Sequence, residues 1–233
     1  MSDLNEMSGG PIAGRRAFLA GALASAVLAL PACTTMGGLS FTEAIRRLLV
    51  LSSDRAFTRL ASDGGYWDGA VARIGLNQFL GSRGDVLSRI LTSSLFKDRL
   101  VSAFADIAER GSYRVAPVVA ETVRTIGIAN AIDLVRGGPT AATGFLRDNM
   151  GASLIDLMVP EVGDGLRLAR EPLVGEVLKA LTGTDVNAVA RSFSVEVDNA
   201  IWNQIGVEEA AIRADPRSTN DPLLIGVFGV AAG

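Results

Sequence analysis

The chain has 233 residues, a net charge of −3, and a composition of 48% hydrophobic and 20% charged residues. That balance is globular and excludes general disorder, while the negative charge offers no net attraction to a phosphate backbone, so nucleic acid is not an expected partner. There is no histidine, and Cys33 is the single cysteine.

The chain opens with a leader. Gly14-Arg15-Arg16-Ala17-Phe18-Leu19-Ala20 sets Phe18 and Leu19 behind a paired arginine, which resembles the twin-arginine export signal. The uncharged stretch from Ala17 to Ala32 is shorter than the roughly 20 apolar residues a membrane span needs, so it reads as a signal-peptide core. It runs into Leu30-Pro31-Ala32-Cys33, which resembles the lipobox of bacterial lipoproteins, with Pro31 an unusual occupant. The alternatives are a plain secretory signal cut after Ala32 and an uncleaved anchor. Leu30 is bulky where an ordinary secretory site takes a small residue, which favours lipidation at Cys33. Acyl chains bury methylenes at about 0.8 kcal/mol each, so a protein with two or more of them stays at a bilayer. Thr34, where Asp would signal retention, fits the outer rather than the inner membrane under the sorting rule for lipoproteins generally. The segments are thus 1–32 as signal peptide, 33–40 as a lipidated, Gly-containing tether, and 41–229 as one periplasmic domain.

If Cys33 is acylated, the mature chain holds neither imidazole nor thiol. That excludes His-dependent triads, Cys nucleophiles, disulfides, Cys/His zinc sites, and haem or iron–sulfur ligation by those residues. Oxygen-only sites remain open, and no cofactor is expected.

From Phe41 the spacing is helical. Phe41, Ile45, Leu48, Leu49, Ala56 and Leu60 share a face, with Glu43, Arg46, Arg47, Asp54 and Arg55 mostly off it. Ser62 to Gly69 reads as a turn-rich break holding Tyr66 and Trp67. A second stripe begins near Asp85 with Leu87, Ile90 and Leu91. A third runs through Leu100, Val101, Phe104, Ile107 and Ala108 and ends at Gly111. Pro117 starts another helix. Helices follow over Ala129 to Arg136, Thr140 to Asn149, Leu154 to Arg170 with an irregularity at Pro160, and Pro172 to Leu181. The clearest begins after Asp185 and carries Val186, Val189, Ala190, Phe193, Val197, Ile201, Ile205 and Ile212. No sustained period-two alternation appears, so the expected class is all-α, a single-domain bundle of about seven to nine helices.

Two blocks carry a family likeness. Ala131-Ile132-Asp133-Leu134-Val135-Arg136-Gly137-Gly138-Pro139-Thr140-Ala141-Ala142-Thr143-Gly144-Phe145-Leu146-Arg147 resembles the central helix, glycine turn and A-A-T helix of the bacterial domain-of-unknown-function family 4197. Glu208-Glu209-Ala210-Ala211-Ile212-Arg213-Ala214-Asp215-Pro216-Arg217-Ser218-Thr219-Asn220-Asp221-Pro222-Leu223-Leu224 resembles its closing helix and tail, with Gly206, Val207, Ala210 and Ala211 diluting a run that is usually more charged. The resemblance implies an exported, all-helical protein and no particular activity.

Four features are candidate sites. Gly137 and Gly138 precede a helix whose first N–H groups, with Thr140 and Thr143, have the makings of an anion cradle; a tight interhelical turn needs the same glycines. Arg213, Asp215, Arg217, Asn220 and Asp221 lie between Pro216 and Pro222 or beside them, and either fork onto an anion or pin the tail, the second reading being favoured. Glu208 with Glu209, and Glu161 with Asp164, are acid pairs of the kind usually solvated on helices. Tyr66 and Trp67 are either a contact patch or part of the core, the latter being the commoner fate. With lysine only at Lys97 and Lys179, and no G-x-S-x-G, a serine nucleophile lacks support. The leading reading is a non-enzymatic envelope lipoprotein that binds a protein or polymer partner. A carrier or sensor of an apolar small molecule comes second, and an enzyme built on carboxylate, Ser or Arg third.

Overall fold

A computed structural model of the chain describes residues 34–62, 66–76, 78, 93–168, 172, 174–175, 177 and 186–229. The export residues Arg15, Arg16, Phe18 and Leu19, the acceptor Cys33, the stripe after Asp85, the cap at Asp185 and most of Pro172 to Leu181 lie outside them. The chain divides into Met1–Leu39, of which only 34–39 is described and is helical, and Ser40–Gly233.

Eight α-helices have defined bounds, and no strand occurs among the described residues. They are α1 (Thr34–Leu60), α2 (Tyr66–Ile74), α3 (Ser94–Thr125), α4 (Ala131–Arg136), α5 (Ala141–Met150), α6 (Ser153–Leu168), α7 (Val186–Ala214) and α8 (Pro222–Phe228), with a 3-10 turn at Pro216–Thr219 between the last two. The all-α class expected from the sequence is the class observed.

In α1 the apolar stripe is the buried one: Ile45, Leu48, Leu49 and Ala56 are fully enclosed and Leu60 nearly so. The helix begins at Thr34, within the segment read as a tether. Gly37 and Gly38 each cost about 1 kcal/mol against alanine, but neither stops a helix as proline would. Residues from Tyr66, read as part of a break, are helical as well. Trp67, Ala70 and Val71 are buried at helical spacing, which outweighs Gly69. Trp67 belongs to the core, with Tyr66 edge-on to it at 5.4 Å.

The largest departure is α3. It runs through Gly111 and Pro117, where the sequence suggested one helix ending and another beginning. Val115, Val119 and Val123 are fully buried and continue the stripe of Leu100, Phe104, Ile107 and Ala108. Pro117 denies the Tyr113 carbonyl its donor at a cost of about 3 kcal/mol. Several buried valines, at about 1.5–3 kcal/mol each, exceed that. Pro160 is likewise inside α6, between buried Met158 and Val162.

Helix α7 is the structural axis. It packs on α6, α5 and α3, while α3 packs on α2 and α6. Phe104 of α3 meets Phe193 of α7 edge-on at 5.0 Å. Arginines off the apolar face of α1 reach the rest of the domain: Arg46 donates to the Ile126 carbonyl at 3.1 Å, and Arg55 to that of Ser218 at 3.4 Å.

Candidate functional site

The second half of α7 carries side chains that its apolar stripe does not account for. Glu209 follows Ile205 by four residues and precedes Ile212 by three, so its carboxylate enters the core, where it is fully buried. It meets the first turn of α5. One oxygen accepts the Ala142 amide at 3.0 Å, the other the Thr143 amide at 2.7 Å and the Thr143 hydroxyl at 2.6 Å. A helix start presents unpaired N–H groups and a partial positive charge, so a carboxylate there is stabilised twice over.

Arg213, one turn on, answers that charge. Its Nε donates to Glu209 at 2.8 Å, while Nη1 and Nη2 donate to the Val135 and Leu134 carbonyls at 3.1 and 2.9 Å. Those carbonyls close α4, where cations are favoured. The guanidinium also lies over the Phe228 ring of α8 at 4.8 Å. One Glu–Arg pair therefore clasps α4, α5, α7 and α8.

This arrangement reassigns the residues expected to form sites. The amides following Gly137, Gly138 and Thr140 serve Glu209, so the anion that fills the expected cradle belongs to the protein. Thr140 stands at the N-cap of α5 but makes no capping bond with its side chain; Glu209 does that work from 67 positions away. Gly137 is needed for the turn, since a Cβ there would lie 2.6 Å from that of Ala141, whereas one on Gly138 would meet nothing within 4 Å. Arg213 is helical and does not pair with Asp215 or Asp221. Asp221 instead caps α8 through the amides of Leu223 and Leu224, at 2.8 and 3.3 Å, and pairs with Arg47 of α1 at 3.1 Å. Burial alone would push the Asp221 carboxyl up, but the Arg47 bond, the two amides and the Arg47 charge together hold it below its usual range. Arg217 is exposed and stands apart from the clasp.

Three features escape a reading of the sequence. Glu208 and Glu209 are both buried, contrary to the expectation for adjacent acids; Glu208 accepts from Gln204 at 3.0 Å and pairs with Arg59 of α1. Asp198 is 3% exposed and is shared between Trp202, whose indole donates at 2.9 Å, and Arg147 of α5 at 3.1 Å. Burial pushes the Asp198 carboxyl above its usual range, against the pull of Arg147 and Trp202. The signal that was available is position: all three acids fall within or beside the apolar stripe of α7 rather than opposite it.

Beside Arg147 a cleft of about 370 Å³ opens between α5 and α7, lined among others by Thr140, Gly144, Asn199, Asn203 and Val207. A larger one, about 710 Å³, lies between α3 and α6 with Arg99, Asp106, Arg110 and Glu161 on its walls. A third, about 470 Å³, separates α1 from α3 near Phe57, Tyr113 and Pro117. No group of three acidic, His or Cys side chains able to hold a metal ion occurs among the described residues, and no described helix is long and apolar enough to cross a membrane.

The fold and its clasp define an all-helical domain organised on one long helix whose buried acids are matched by arginines. The chain belongs to the family described as protein of unknown function (DUF4197), whose model matches residues 36–229. Compared with curated proteins and with solved structures, the chain finds no match in either.

Proposed function

We propose that the chain is a lipid-tethered envelope protein, held at a membrane through Cys33, whose periplasmic helical domain works as a non-enzymatic binding module. The twin-arginine-like leader and the lipobox-like Leu30 to Cys33 support the location, with the outer membrane as the destination. The observation that carries the binding reading is the state of the buried acids on α7. Asp198, Glu208 and Glu209 are each paired with an arginine and hold helices together, so none is free to act as a general acid or base. What remains accessible is a set of open clefts with polar groups on their walls, suited to recognition. These clefts lend no support to a carrier of a wholly apolar molecule, which needs an enclosed apolar space.

The test is retention of a partner from solubilised envelope by immobilised mature protein, beside a helical protein of equal charge. The expected result is a reproducible protein or polymer retained by this chain alone. Repeated absence of any such species contradicts the reading.

A further inference from the structure

The arginines of α1 are all engaged away from Asp54. Arg46 and Arg55 donate to the Ile126 and Ser218 carbonyls, Arg47 pairs with Glu43 and Asp221, and Arg59 pairs with Glu208. One turn beyond Asp54, where a helical partner would stand, is Thr58, whose hydroxyl donates to the Asp54 backbone carbonyl at 2.7 Å. The exposed Asp54 carboxylate itself has no ion pair or hydrogen bond with a described residue.

Asp54 stands on the cleft between α1 and α3. With Ser53 and Ala120 it belongs to two adjoining hollows, of about 470 and 260 Å³. The larger is lined by Phe57 and Ala61 from α1 and by Tyr113, Ala116 and Pro117 from α3, and Asp54 is the single charge among its described lining residues. In the smaller, the one cation is Arg124, which is drawn to Glu121 at 3.4 Å and to the Ala120 carbonyl at 3.2 Å. An acid on an ordinary helix face is served by water, but here a second acceptor beside it is not. Ser53 is 3% exposed, and its hydroxyl has no partner, which is uncommon for a buried polar group. On the facing wall, Pro117 supplies no N–H to the Tyr113 carbonyl.

We infer that the α1/α3 cleft binds an organic ammonium ion, with its charged head at Asp54 and Ser53 and its apolar body along Phe57, Ala116 and Pro117. The inference gives the binding-module reading a ligand class and rests on it. An ammonium carries three N–H donors and no acceptor, so it suits oxygens left without donors. A carboxylate in the same place would face Asp54, and a neutral alcohol would leave the Asp54 charge unmatched. Phe57 and Tyr113, one from each helix, favour a cation as well, through the charge distribution of their rings. The larger hollow is within the size range of ligand pockets.

Tyr113 provides the readout. Of the two tyrosines, Tyr66 lies on α2 and is not among the residues lining the cleft, so its ring signal is the internal control in ¹H–¹³C spectra of the mature protein, with Tyr66→Phe giving the assignment. The probes, near neutral pH, are hexylammonium, methylammonium, 1-hexanol and hexanoate. The expected result is a saturable shift of Tyr113 alone, with hexylammonium bound about fivefold more tightly than hexanol, as an ion pair at a cleft mouth allows. Methylammonium, which lacks the apolar body, and hexanoate should bind more weakly than either. Asp54 is exposed, so Asp54→Asn keeps the fold, and it should bring hexylammonium down to the level of hexanol. Ser53→Ala should weaken hexylammonium about threefold and leave hexanol unchanged. Hexylammonium and hexanol bound equally, a preference untouched by Asp54→Asn or by Ser53→Ala, or a Tyr113 signal unmoved by hexylammonium up to tens of millimolar would overturn the inference. Envelope partners retained without any ammonium preference would sink the inference and leave the binding reading standing; ammonium binding with no partner retained would do the reverse.

Discussion

The carboxylate of Glu209 takes both the amide and the hydroxyl of Thr143, at 2.7 and 2.6 Å, and so closes the start of a helix that lies 66 residues earlier in the chain. Removing it strands two things at once: the first-turn donors of α5 and the Arg213 guanidinium, which is only 10% exposed. Glu209→Ala should therefore cost about 3–5 kcal/mol, as expected for a buried pair broken from one side. Glu209→Gln should cost less, because its amide oxygen still accepts. The double variant with Arg213→Ala should lose less than the sum of the singles, since no buried charge is then left alone. Urea unfolding of the four variants, Arg213→Ala included, beside the unmodified protein checks this.

The two glycines before α5 separate cleanly. Gly137→Ala places a Cβ 2.6 Å from the Ala141 Cβ and 3.0 Å from the Asp133 carbonyl, so the turn must open. A loss of about 1–3 kcal/mol follows. Gly138→Ala meets open space and should be neutral or stabilising by up to about 1 kcal/mol through the unfolded chain. Equal effects at both positions, read by thermal unfolding, would contradict the turn geometry.

Pro117 is exposed and interrupts the bond to the Tyr113 carbonyl inside α3. Pro117→Ala should restore that donor and raise stability by about 1–3 kcal/mol. A helix that truly ended near Gly111 would gain nothing.

Asp198 and Asp221 should respond to pH with opposite signs. The folded value of Asp198 is raised, so its contribution is fully present below the unfolded value near 3.8 and is lost as pH rises through the folded value. Asp221 is lowered, so its contribution is present above 3.8 and is lost as pH falls through the folded value. Relative to wild type, Asp198→Asn should look worst in acid and Asp221→Asn worst near neutrality. Unfolding free energies measured from about pH 3 to pH 7 test the pair.

Much of this fold was legible because burial follows helical spacing. The stripe from Val189 to Ile212 is buried along its length, and so is that from Ile45 to Leu60. What misled was local punctuation: Gly111 and Pro117 carry breaking signals that the valines beyond them override through packing, which no window of sequence displays. The clasp was half legible. The sequence favours Arg213 as a pin for the tail region, and the nearest acids it offers as partners are Asp215 and Asp221. The partner is Glu209, and the anchor points, Leu134, Val135 and Phe228, come from α4 and α8. Asp198 and Arg147 are 51 positions apart, and nothing in either neighbourhood announces the other.

The proposed tether at Cys33 is checked by the mass of the intact protein recovered from the membranes of its native cell. A chain beginning at Cys33 and heavier than its residues by a diacylglycerol and an acyl group is the result expected. A chain carrying a free thiol at Cys33, whether the leader is retained or removed, would contradict it.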